Sequence, residues 1–101
     1  MDDVIFGLRQ RITYATGRHD AQIKIAKDQW FVAACLDLVN SVPEPKSRKK
    51  AEAAFGAAEK ACKSRNYAGF QISGEKANIA IATYKNEVLR WIDGIINAGE
   101  S

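Results

Sequence analysis

The chain has 101 residues, of which 47% are hydrophobic and 27% charged, and its formal net charge is only +3. That composition describes one folded domain with a single core, and argues against both a disordered chain and a two-domain protein. The longest nearly unbroken apolar run, WFVAACLDLV from Trp30 to Val39, is interrupted by Asp37 and is far shorter than the roughly 20 residues that cross a bilayer, so no membrane contact by a spanning helix is expected.

Wound at 100° per residue, the sequence predicts four helical segments. In the first, Asp2 and Asp3 favour a helix start, while Val4, Ile5, Leu8, Ile12 and Ala15 share one arc. Gly17 is expected to end it, with Phe6 and Tyr14 pointing away from the apolar arc. The second segment is predicted from an N-cap at Asp20 to Val42, where Pro43 stops it. Ile23, Ala26, Trp30, Ala33, Ala34 and Leu38 form one face, and Phe31, Val32, Cys35, Leu36, Val39 and Val42 cover much of the other. A helix that is apolar on two faces is expected to be central, or to carry an interface such as a homodimer contact.

The third segment, about 47–64, begins after PEPKSRKK with Ser47 as its expected N-cap. It aligns Ala51, Ala54, Phe55, Ala58, Ala61 and Cys62, small residues that let a neighbouring helix approach closely, and sets Glu59 four residues before Lys63. The fourth, about 75–98, aligns Ala77, Ile81, Tyr84, Val88, Trp91, Ile92 and Ile95, with Lys85 inside the arc. Between these two lies RNYAGFQISGE, which reads as a loop with room for a short extended piece near 66–73. The expected fold is therefore all-α: a compact bundle of about four helices in one domain, 1–101.

Signatures of chemistry are missing. His19, the single histidine, has no companion ligands at metal-binding spacing and is expected to cap a helix or face solvent. Cys35 and Cys62 lie in apolar helical surroundings and are expected to be free thiols in a reducing cytoplasm. The opening MDDVIF lacks the basic region of a secretory leader, which agrees with a cytoplasmic location. GFQISGEK, 69–76, has the glycine spacing of a phosphate-binding loop, but Glu75 stands at the lysine position. No enzyme activity and no cofactor is expected.

Charge distribution is more informative. Residues 43–65 hold seven basic and three acidic residues, a net of +4, whereas the rest of the chain holds eight against nine. Lys46, Arg48, Lys49 and Lys50 stand at the start of a helix, where the macrodipole disfavours cations, so they are candidate contacts to an anion or to a partner. Phe6, Tyr14, Tyr67 and Phe70 are the candidate apolar partner contacts. The function expected from these features is non-enzymatic binding of another protein with an acidic surface, as an inhibitor, adaptor or assembly factor. The alternative is sequence-independent nucleic-acid binding through residues 46–50.

Overall fold

A computed structural model describes residues 1–28 and 45–100, and the side chains within 1–24 and 45–94. Its elements are three helices, α1 (Asp2–Asp28), α2 (Arg48–Lys63) and α3 (Tyr67–Glu100). Among the described residues there is no strand. Each helix touches both others, and α2 lies chiefly along α3. The principal extents are 51 × 19 × 16 Å. The long dimension is that of α3 itself, since its 34 residues rise about 1.5 Å each.

The core follows the helical periodicity. Ile5, Leu8, Ile12 and Ala15 come from α1, Ala51, Ala58 and Cys62 from α2, and Phe70, Ala77, Ile81, Tyr84, Val88, Trp91 and Ile92 from α3. Size is divided between the helices. Trp91, Tyr84, Ile81 and Val88 are the largest fully buried side chains, and the wholly buried residues of α2 are Ala51 and Ala58. Bulk on α3 thus meets small residues on α2, a pairing that lets two helices pack closely.

Two expected boundaries are corrected. Gly17 does not end the first helix, and Asp20 does not cap a second: α1 runs unbroken to Asp28. The reason is that the buried stripe continues, with His19 buried and Ile23 packed against the core four and eight residues beyond Ala15. Continued burial outweighs the roughly 1 kcal/mol that a glycine costs inside a helix. The described helices consequently number three, instead of about four. The remainder of the expected second segment, 29–42, with Cys35 and the second apolar face, lies outside the described residues.

The other correction concerns 66–73, which contains no extended piece, because α3 already begins at Tyr67. α2 ends in a Schellman-type turn, with Arg65 at φ 57° and bonds from Arg65 N–H to Cys62 O (3.1 Å) and Asn66 N–H to Ala61 O (3.0 Å). Asn66 at once caps α3. Its Oδ1 accepts from Gly69 N–H at 3.0 Å, and its carbonyl accepts from Phe70 N–H at 2.8 Å. Gly69 is needed there because a Cβ would overlap the Asn66 amide. The stripe Phe70, Gly74, Ala77, Ile81 then carries burial straight through the region that reads as a loop. The glycines of GFQISGEK thus lie within a helix, with no phosphate loop.

Candidate binding surfaces

The basic run divides in two. Arg48 is turned back into the molecule: its Nη1 donates to Asp20 Oδ1 at 2.7 Å, its Nη2 to Oδ2 at 3.4 Å and its Nε to Glu52 at 3.0 Å. Beside these carboxylates its guanidinium is held above its ordinary value, and Asp20 is held below its own, chiefly through the hydrogen bond between them. Arg48 therefore joins α1 to α2. Lys46, Lys49 and Lys50 are exposed.

Ser47 occupies the N-cap position of α2, but its side chain does not bond the helix. Instead its backbone N–H and its hydroxyl donate to Glu87 Oε2 of α3, at 3.3 and 2.9 Å. Ser47 is 8% exposed. A carboxylate from another helix thus stands at the positive end of α2, and Asp20 and Glu52 balance its first cation. Arg48 sits where the backbone disfavours a cation because Asp20 and Glu52 bond it and Glu87 stands at that end of the helix.

Behind Arg48 lies a buried polar cluster. His19, 5% exposed, places Nδ1 3.2 Å from the Tyr84 hydroxyl and 3.5 Å from Arg48 Nη1. A guanidinium can only donate, so Arg48 presents its N–H groups to the His19 ring. The ring stands edge-on to Trp91, with centroids 4.9 Å apart. Burial pushes the Tyr84 phenol up. His19 is thus neither a helix cap nor solvent-facing, as the sequence suggested; it packs three elements together. No group of residues suited to a metal ion occurs among the described residues.

Cys62 is a buried free thiol, donating to Asp2 Oδ1 at 3.2 Å. Burial and that carboxylate push it up, which makes it a poor nucleophile. Of the four aromatic candidates, Phe6, Tyr14 and Tyr67 are 60%, 56% and 69% exposed, whereas Phe70 is 8% exposed and belongs to the core. Lys85 reaches solvent.

Two surfaces stand out among the described residues. On the outer side of α2, Lys49, Lys50 and Lys60 are interspersed with exposed Ala53, Gly56 and Ala57, opposite buried Ala51 and Ala58. Both glutamates of that helix are drawn aside, Glu52 to Arg48 and Glu59 to Arg9 and Lys63. Among the described residues the face consequently carries lysines with no carboxylate between them. On α1, Phe6, Arg9, Gln10, Thr13 and Tyr14 line a shallow groove of about 490 Å³. No span long and apolar enough to cross a membrane occurs among the described helices. Comparison with known proteins finds no family model, no curated protein and no solved structure that matches the chain.

Proposed function

We propose that the protein is a non-enzymatic binding protein whose outer α2 face docks against an acidic surface of another protein, in the manner of an inhibitor, adaptor or assembly factor. The observation that carries this reading is the outer α2 face of Lys49, Lys50 and Lys60, flanked by exposed Lys46, with Ala53, Gly56 and Ala57 exposed between them and no carboxylate on it among the described residues. Small side chains let a partner's backbone approach the helix, and lysines at both ends steer an acidic partner and fix its register. Arg48, engaged with Asp20 and Glu52, holds the face in place and takes no part in contact.

Nucleic acid is the second reading, supported by the same absence of carboxylates, which suits a phosphate backbone. The two are separated with a Lys46→Gln, Lys49→Gln, Lys50→Gln variant. Partners are captured from lysate of the native host with and without nuclease, and duplex DNA is titrated at several salt concentrations. The protein reading requires a nuclease-resistant partner that the variant loses, mainly through a slower association rate. The nucleic-acid reading requires duplex binding with a salt slope that flattens in the variant. Equal capture by both forms, with no duplex binding, would overturn both.

A further inference from the structure

The outer face of α1 is a second surface, distinct from the lysine face of α2. Taken at 100° per residue and set opposite the buried Ile5, Leu8, Ile12, Ala15 and His19, it presents in order Asp3, Phe6, Gln10, Thr13, Tyr14, Gly17, Ala21 and Lys24, all exposed. The pattern is complementary to its own reverse. When a second α1 is laid antiparallel, with a two-fold axis between Thr13 and Tyr14, Asp3 meets the partner's Lys24. Phe6 meets the partner's Ala21, Gln10 meets the partner's Gly17, and Thr13 meets the partner's Tyr14. In every layer the two residues lie on opposite sides of the seam, so they pack past each other instead of colliding. Large faces small in the two layers that hold Phe6 and Gln10, and acid faces base at both ends.

We infer that the protein self-associates through this face of α1 as an antiparallel, two-fold symmetric homodimer, seated by Phe6 and registered by Asp3 and Lys24. Three observations support that occupant over others. A Cβ added at Gly17 would meet nothing within 4 Å, so a bulky neighbour has space there. The groove at Phe6, Gln10 and Tyr14 is already formed. The flanking cation Arg9 is paired within the monomer with Glu59. Its charge is therefore not set against the approaching copy's own. A seam from Asp3 to Lys24 is about 32 Å long at the helical rise, and one helix width of it buries less than the roughly 1,200 Å² of stable complexes. The dimer is consequently weak and concentration-dependent.

The test is sedimentation equilibrium from about 10 μM to about 1 mM, with circular dichroism to verify folding of each variant. The wild type is expected to shift from monomer towards dimer over this range. Asp3→Lys and Lys24→Glu each turn two end contacts from attraction to repulsion and are expected to weaken the dimer about tenfold. Asp3→Lys combined with Lys24→Glu restores it, because the pairing is reversed in sense and kept in register. Phe6→Ala, at an exposed position, weakens it while leaving the monomer folded. A wild type that stays monomeric throughout overturns the inference. So does a dimer indifferent to Phe6→Ala, or one that the paired reversal fails to rescue; either would place the contact on another surface.

Discussion

Replacing Arg48 and replacing its lysine neighbours should have opposite effects on stability. Arg48 is the shared member of two ion pairs and its side chain is only 32% exposed. Exposed pairs of this kind contribute about 0.2–1 kcal/mol each. Asp20, 61% exposed, is left in solvent when Arg48 goes, so no buried charge is stranded. Arg48→Gln is therefore expected to cost about 1–1.5 kcal/mol, which for a domain of this size lowers Tm by about 4–10 °C. Lys46→Gln, Lys49→Gln and Lys50→Gln together remove cations from a helix N-terminus and should leave Tm unchanged or raise it slightly. Thermal and urea melts of both variants, with an Asp20→Asn/Arg48→Gln double-mutant cycle, give the comparison. The coupling in that cycle should be about 0.5–1 kcal/mol at pH 7. Because the carboxyl of Asp20 is held below its ordinary value in the folded state, this stabilisation is present above the unfolded pKa, about 3.9. It is lost as pH falls through the lower folded value, so the coupling should fade below about pH 4. An Arg48 variant as stable as the lysine variant, or a coupling unaltered at low pH, would refute the division of the basic run into one structural and three free cations.

Further tests address other joints of the fold. Arg65→Gly should stabilise by about 0.5–1 kcal/mol, since a non-glycine residue at positive φ is strained and glycine is not; a lower Tm would contradict the left-handed turn. Asn66→Ala should cost about 1 kcal/mol through loss of the α3 cap, read from urea melts. Glu87→Gln weakens both the charge at the α2 N-terminus and the bonds from Ser47, and should cost about 1–2 kcal/mol; no change would remove Glu87 from its assigned role. Cys62 should react with a thiol reagent only slowly in the native protein and fast in urea; equal rates would mean that it is not buried.

Much of the fold is legible in the sequence because burial is periodic. Ile81, Tyr84, Val88, Trp91 and Ile92 follow from spacing alone, as does the small-residue face of α2 with Glu59 pairing to Lys63 at 3.8 Å. Legibility fails where a glycine inside a helix reads as a break and where a polar residue is buried. Gly17 looks like a break, yet buried Ala15 and His19 on either side carry the helix through it. His19 reads as a polar cap, whereas its partners Tyr84, Trp91 and Arg48 are far away in sequence. The signal that could have placed it is its spacing, four residues beyond Ala15 on the buried stripe. Of the candidate site, exposure of Lys46, Lys49 and Lys50 was foreseeable from their run, but the diversion of Arg48 depends on Asp20 of another helix. Glu87 at the start of α2 is equally a long-range fact, and no local pattern announces it.

The short joint between α2 and α3 has an evolutionary consequence. In its present rotamer Asn66 can cap α3 with its side chain only while residue 69 lacks a Cβ, so the two positions are expected to be inherited as a unit, Asn-x-x-Gly, and to be lost together. A descendant that replaces Gly69 by alanine would displace the Asn66 amide and open the start of α3. Relatives too divergent to be recognised by overall similarity should still carry that pair, placed three residues after a helix rich in alanine and just ahead of a long one bearing the tyrosine and tryptophan of the core.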